Sequence, residues 1–201
     1  MKRLLKYPEV YNLYQSLIGA DSYLKKFAHT FLKDDSRQLI KILDVGCGTS
    51  NIVKFLGSNV DYVGFDCSKK YIEYSKKKYP KFSFLNKSVL EKIDTTQDFD
   101  VIISLGVMAA LNDETLKDMC SILCTYANKN TKFLLADMNY SEDASKLEKF
   151  LCKNERNSYI RGEQDYVNIL SRFFNIEKIH HWDKVYRIPY HKVIFECSIK
   201  D

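Results

Sequence analysis

The 201-residue chain lacks any long apolar run. Stretches such as Val101-Ile102-Ile103 are far shorter than the ~20 residues that span a bilayer, and the basic N-terminus has no uninterrupted apolar block of the secretion-signal kind. The expectation is a cytoplasmic protein without a membrane segment. Cys-x-x-Cys pairs and zinc-like Cys/His clusters are also missing: the six cysteines (47, 67, 120, 124, 152 and 197) are scattered, which fits a reducing compartment and argues against a disulfide frame or a metal centre. Cys120 and Cys124 share a helix face, but two ligands do not make a site, so they read as core. There is no internal repeat and no low-complexity segment. A strong excess of one charge is absent too. The net charge of +5 is spread over helix surfaces such as Lys69-Lys70 and Lys76-Lys77-Lys78, without the compact basic and aromatic platform of a nucleic-acid groove. What is present, 45% hydrophobic and 28% charged residues, describes one domain with an ample core.

Periodicity predicts alternating strands and helices. Val10, Leu13, Tyr14, Leu17, Leu24, Phe27 and Phe31 recur at helical spacing through residues 7–31, with a break near Gly19-Ala20-Asp21 where Asp21 can cap a second helix. Strands are expected over 39–45, 60–65, 82–85, 99–105 and 132–138. Helices are expected over 51–56 (capped by Asn51), 69–79 and 113–127. Continuous apolar strands joined by helices imply a parallel sheet covered on both faces. Polar helical regions follow over 141–153 and 164–174. Residues 176–181 and 192–199 then read as two strands whose connection is too short for a crossover, so the last strand should run antiparallel to its neighbour. The fold class is therefore α/β: a doubly wound, Rossmann-like, seven-stranded sheet with N-terminal helices.

The chemistry concentrates in Leu43-Asp44-Val45-Gly46-Cys47-Gly48-Thr49-Ser50. A dinucleotide fingerprint needs a third glycine, and here that position is Asn51. Asp44 at the strand tip would repel a pyrophosphate and attract a cation. Gly46 and Gly48 let the backbone turn sharply and approach a ligand without a Cβ. Asp66, twenty residues after Gly46 at the end of the second strand, can accept both hydroxyls of a ribose. Ser104, Leu105 and Gly106 fall at the C-terminal end of the fourth strand, where open α/β sheets hold their ligands.

An acid followed by small residues at every second position (Asp44, Gly46, Gly48, Ser50), Asp66, and the blocks PEVYNLYQSLIG, YVGFDCSKKYIEYSKKKYP, NERNSYIRGEQDYVNILSRFF and YRIPYHKVIFECS together resemble the class I S-adenosylmethionine (SAM) methyltransferases, in particular a bacterial subgroup acting on small molecules. The resemblance covers nearly the whole chain. It implies SAM as cofactor and a single domain in three parts: a helical lid over 1–36, a SAM-binding core over 37–138, and a substrate-side insert with the terminal strand pair over 139–201. It assigns Asp44, Gly46, Cys47 and Gly48 to the methionine end, Asp66 to the ribose, Cys67, Ser88 and Val89 to the adenine, Tyr11 (with Tyr14 and Gln15) to a lid, and Ser104 and Leu105 to the donor–acceptor junction.

For the acceptor the candidates are Met108, Arg161, Tyr166, Arg187 and Tyr190. Arginine forks at 156, 161 and 187, if convergent, would favour an anionic acceptor. His191 is the candidate general base, because its pKa suits neutral pH. Relatives often read GVLHHL where this chain has Gly106-Val107-Met108-Ala109-Ala110-Leu111, so a base at those positions is not available. The chain also lacks the (D/N)PP(Y/F/W) tetrad and the Pro-Cys nucleophile of base-methylating enzymes. The expected function is methyl transfer from SAM to a small molecule, at oxygen. The rival readings are an NAD-type oxidoreductase, a catalytically silent SAM-binding regulator, and an RNA methyltransferase.

Overall fold

A computed structural model describes residues 4–33, 38–95, 97–139, 159–183, 185–188 and 191–200. Seven strands form one sheet: β1 (Ile40–Val45), β2 (Val60–Asp66), β3 (Ser83–Asn86), β4 (Val101–Leu105), β5 (Lys132–Met138), β6 (Phe174–Trp182) and β7 (Lys192–Ile199). Their order is β3-β2-β1-β4-β5-β7-β6. The first five strands pair in parallel, and β7 is antiparallel to both β5 and β6. The expected terminal hairpin is present, and it is inserted so that β7 lies inside β6.

Strand period decides which core each residue joins. On one face Leu43, Ile102, Phe133 and Leu135 pack against Leu116, Met119 and Leu123 of α4 (Asp113–Cys124) and Tyr166 and Leu170 of α5 (Glu163–Leu170). On the other, Ile42, Ile103, Leu134 and Ala136 pack with Tyr23 and Phe27 of α2 (Ala20–Phe27) and Ile72 of α3 (Lys69–Lys78). Each large apolar side chain fully buried in this way contributes roughly 1.5–3 kcal/mol. Cys120 lies in the first of these cores, and among the described residues no metal-binding cluster exists. No helix among them is long and apolar enough to cross a membrane.

The N-terminal helices break where expected. Pro8 starts α1 (Pro8–Ile18) and Gly19, at φ +83°, ends it. Two expected caps are corrected. Gly19 occupies the N-cap of α2, and Asp21 instead pairs with Lys54 at 2.9 Å. Ser50, at φ 54°, precedes the short 3-10 turn Asn51–Phe55, leaving the Asn51 amide for other partners. The second polar helix ends at Leu170 rather than 174, because Phe174 already belongs to β6, buried against Phe133 with ring centroids 4.5 Å apart. The helix expected over 141–153 lies outside the described residues.

Candidate active site

The connection after β1 leads to one side of the sheet and that after β4 to the other, so a crevice opens between their C-terminal ends. There a cavity of about 570 Å³ extends from Asp66, Ser88 and Val89 at the β2–β3 edge, across Asp44 and Gly46, to Met138 and Lys192 at the ends of β5 and β7. This volume lies within the ~300–1,000 Å³ of small-molecule sites.

The turn after β1 is pinned by the amides of Gly46 and Cys47, which both donate to the Phe65 carbonyl (2.9 and 3.0 Å). Gly46, Gly48 and Ser50 all take left-handed backbone, at φ 72°, 56° and 54°, a conformation that costs a residue with a Cβ. A Cβ on Gly46 would stand 2.4 Å from Val107 Cγ2, whereas one on Gly48 would meet nothing within 4 Å. The turn is thus closed against β4 at Gly46 and open at Gly48.

Asp44 is 3% exposed and accepts a 2.5 Å hydrogen bond from the Tyr62 hydroxyl. Burial raises its carboxyl to about 7; the Tyr62 bond opposes that rise and the charge of Asp66 adds to it. Gly64 permits the contact, since a Cβ there would stand 2.9 Å from the Tyr62 ring and 3.0 Å from Cys47 Sγ. Burial, followed by the field of Asp44, pushes the Cys47 thiol well up, which keeps it protonated and inert. Asp66 accepts the Gly48 amide at 3.0 Å and the Ser68 amide at 2.8 Å, one on each oxygen. Asp66 lines the cavity, and a carboxylate with two oxygens suits the pair of hydroxyls of a diol.

Helix α1 closes over this turn. Asn12 Oδ1 accepts from Thr49 Oγ1 and from Asn51 Nδ2, both at 2.7 Å. The Tyr11 ring lies 5.1 Å from that of Tyr71, whose hydroxyl donates to the Leu5 carbonyl. Tyr11, Tyr14 and Gln15 all face the cavity. Asn51 Oδ1 is buried without a hydrogen-bond partner in the wall of the same cavity. A buried carboxylate raised by desolvation, an unsatisfied buried acceptor and a glycine open toward the space together suit a cationic ligand end, and Asp66 beyond them suits a vicinal diol. An amino-acid ammonium joined to a ribose, as in SAM, fits this donor set; a pyrophosphate does not.

Of the residues expected from sequence, Tyr11, Asp44, Gly46, Cys47, Gly48, Asp66, Cys67, Ser88, Val89 and Leu105 all line the cavity. Others are placed elsewhere. Ser104 is fully buried and donates to the Val45 carbonyl at 3.3 Å, tying β4 to β1. Met108 has no exposed surface and joins the apolar core. Tyr166 is equally buried, packed on Phe195 with its hydroxyl on the Met138 carbonyl. Arg161 commits all five of its N–H donors: two to Asp113 and one each to the Met108, Tyr159 and Leu111 carbonyls. It clasps the turn after β4 and offers no fork to a ligand. Arg187 is exposed and its backbone amide and guanidinium donate to the Ile18 and Leu17 carbonyls, closing the end of α1. Arg161 and Arg187 do not converge on a ligand site. His191 Nδ1 pairs with Asp183 at 2.5 Å, and the residue lies outside the cavity lining. Tyr190 and Arg156 lie outside the described residues.

Sequence reasoning missed Asn12, Tyr62, Asn51 as a cavity group, and Lys192. Only Lys192 carried a local signal, a cation directly before the apolar run Val193-Ile194-Phe195.

Residues 36–190 match the family described as Methyltransferase domain. The chain belongs to that family. A search of curated proteins gives no match, so the remaining comparisons are structural. This methyltransferase superposes on the magnesium protoporphyrin IX methyltransferase ChlM from Synechocystis PCC 6803 with bound S-adenosylhomocysteine (SAH) at a TM-score of 0.71 and 18% identity, covering 90% of this chain and 84% of that one. With the TehB-like SAM-dependent methyltransferase from Corynebacterium glutamicum the TM-score is 0.68 at 18% identity, over 96% and 98% of the two chains. With the N-methyltransferase NodS from Bradyrhizobium japonicum WM9 it is 0.62 at 12% identity, over 82% and 80%. At these identities the shared property is the fold.

Proposed function

We propose that this methyltransferase uses SAM to methylate a small molecule, with an oxygen as receiving atom. The observation that carries the reading is the pairing of Asp44 with Asp66 across one turn: a buried carboxylate that gains by meeting a cation, and a second carboxylate placed for a diol. The fold neighbours crystallised with SAM or SAH support the same cofactor. When bound, SAM supplies a methyl group whose carbon is attacked by an acceptor lone pair as the sulfur keeps the electrons of the broken bond.

The chain's own residues then have separable tasks. Asp44, with Asn51 Oδ1, neutralises and orients the ammonium. Asp66 fixes the ribose, and Cys67, Ser88 and Val89 border the adenine. Tyr11, Tyr14 and Gln15 on α1 exclude water from above. Leu105, Gly106 and Val107 at the tip of β4 set the floor where the acceptor approaches, and such alignment supplies roughly 7–11 kcal/mol of barrier lowering in favourable cases. Tyr23, Tyr186 and Lys192, which line the cavity beyond β4, offer polar hydrogens that suit an acceptor bringing oxygen lone pairs. The breadth of neighbour names, from magnesium protoporphyrin IX to the pyocyanin biosynthetic protein PhzM, supports a small-molecule acceptor over a macromolecule.

Calorimetry with SAH and NAD tests the reading. SAH should bind and NAD should not, and Asp66→Ala should weaken SAH by 10-fold or more through the lost charge-assisted hydroxyl contacts, about 1.5–3 kcal/mol each. Equal binding of NAD, or SAH affinity unchanged in Asp66→Ala, would overturn it.

A further inference from the structure

Beyond β4 the cavity is walled by Ala20, Tyr23 and Leu24 of α2 and by Met138, Tyr186 and Lys192. The Lys192 ammonium is answered from inside the protein. Burial pushes the Asp137 carboxyl up, and Lys192 comes first among the groups that draw it back down, so the two charges are coupled. Asp137 is fully buried and its oxygens also accept the Ala109 and Met138 amides, at 2.8 and 2.7 Å. A cation matched in this way asks no charge of a ligand.

Tyr23 stands differently. It is 3% exposed, and its ring is held by three others: Tyr186 stacks on it at 5.3 Å with an interplanar angle of 24°, Trp182 packs edge-on at 6.0 Å, and Phe27 lies tilted at 6.1 Å. The buried hydroxyls of Tyr62, Tyr71 and Tyr166 donate to Asp44, to the Leu5 carbonyl and to the Met138 carbonyl. Among the described residues the Tyr23 hydroxyl has no such partner, and Tyr23 lines the cavity. Burial, and after it the field of Asp137, hold its phenol above the ordinary range, so at neutral pH it keeps its proton and donates. The partner of a buried donor that borders a cavity is what fills that cavity.

Resting on the SAM reading above, we propose that Tyr23 orients the acceptor, its hydroxyl donating a hydrogen bond to a carbonyl oxygen on an uncharged, apolar-bodied molecule. A carbonyl presents lone pairs and no proton, so it satisfies a lone donor and leaves none of its own unpaired. The apolar body suits Leu24, Leu111 and Met138 in the wall, and the lack of charge suits a site whose lysine is matched by Asp137. Because Phe27, Trp182 and Tyr186 already fix the ring, little side-chain ordering is left for binding, and the bond can turn the receiving atom toward the tip of β4. Tyr23 acts as a donor here and does not take the acceptor's proton.

The test uses the full chain saturated with SAH and three probes titrated by ligand-observed NMR: acetophenone, its carbonyl-free isostere α-methylstyrene, and the anion benzoate. Tyr23→Phe removes the hydroxyl and keeps the ring. The ratio of acetophenone to α-methylstyrene affinity should fall about fivefold or more in Tyr23→Phe, the worth of one buried hydrogen bond. Acetophenone labelled at its carbonyl carbon should show that resonance further downfield when bound to the wild-type chain than to Tyr23→Phe, as a carbonyl that accepts a hydrogen bond does. Benzoate should bind no more tightly than acetophenone. No binding of acetophenone, a ratio or a resonance unchanged in Tyr23→Phe, or a preference for benzoate would overturn the proposal. SAH affinity is measured separately by calorimetry and should be unchanged in Tyr23→Phe; a marked loss there would place Tyr23 at the donor end and overturn its acceptor role. Failure of the wild-type chain to bind SAH overturns the SAM reading itself, whereas intact SAH binding with an unchanged probe ratio overturns only the role of Tyr23. Should Tyr23→Phe fail to fold, the wild-type complex decides: a bound carbonyl resonance no further downfield than that of acetophenone in an apolar solvent would overturn the proposal.

Discussion

Replacing Asp44 by asparagine should separate the charge at the donor site from its shape. The amide fits the same space and its oxygen can still accept the Tyr62 hydroxyl, so the change removes little besides ionisation. In the ligand-free protein burial holds the Asp44 carboxyl up to about 7, against 3.8 in the unperturbed group. An ammonium docked on it favours the charged form and draws the pKa back down, so below pH 7 the ligand must displace a proton. One decade of affinity per pH unit follows, about 1.36 kcal/mol. SAH affinity should therefore fall by up to ~100-fold between pH 7 and pH 5, while its amino group, with a pKa near 8, stays charged throughout. Calorimetry in buffers of different ionisation enthalpy should find about half a proton released at pH 7 and nearly one at pH 5. Asp44→Asn should bind weakly at pH 7, without proton release and without pH dependence in that window.

The same carboxyl acts on stability with the opposite dependence on pH. Because its folded pKa is raised, the folded chain holds a proton that the unfolded chain has lost between pH 3.8 and about 7, so stability falls as pH rises through that window. The ~3-unit shift corresponds to about 4 kcal/mol. Ligand-free Asp44→Asn should then be more stable than the wild-type chain at pH 8 in urea unfolding, by an amount of that order. Flat SAH affinity between pH 5 and 7 in the wild-type chain, together with a destabilised Asp44→Asn, would refute the reasoning at both points.

Two further outcomes are expected. Arg161→Ala should cost about 1–3 kcal/mol in chemical denaturation, because the Met108, Tyr159 and Leu111 carbonyls lose their buried donor while the exposed Asp113 falls back on water; SAH affinity of the folded variant should change less than threefold, and a stability loss under 1 kcal/mol would contradict the clasp. Gly46→Ala forces a Cβ into left-handed backbone and against Val107, so it should cost about 1–3 kcal/mol in thermal unfolding and weaken SAH at least 10-fold; adding Val107→Ala should restore the part due to the clash and leave the part due to φ.

That Asp44, Gly46, Gly48 and Asp66 gather at one cavity was legible in the chain because these residues are local. Asp44, Gly46 and Gly48 are fixed by one turn, and Asp66 by the length of one strand and one crossover. The acceptor half was not. Arg161 and Tyr166 have residue types that suit a ligand, but pairing consumed them: the guanidinium by Asp113 and three carbonyls, the tyrosine by the core around Phe195. Lys192 is an ordinary strand residue until β7 is inserted between β5 and β6, which sets it against Tyr23 from a helix some 170 positions earlier. Asn51 read as a helix cap and became a partner of Asn12 because α1 folds over the turn.

By itself the sequence determined the α/β class, the seven strands and which residues gather at the tips of β1 and β2, since hydrophobic period and turn residues act over a few positions. The tertiary structure alone decided that Arg161 is already paired and which side chains reach the cavity. Burial and pairing are properties of neighbours distant in the chain, and no local spacing records them.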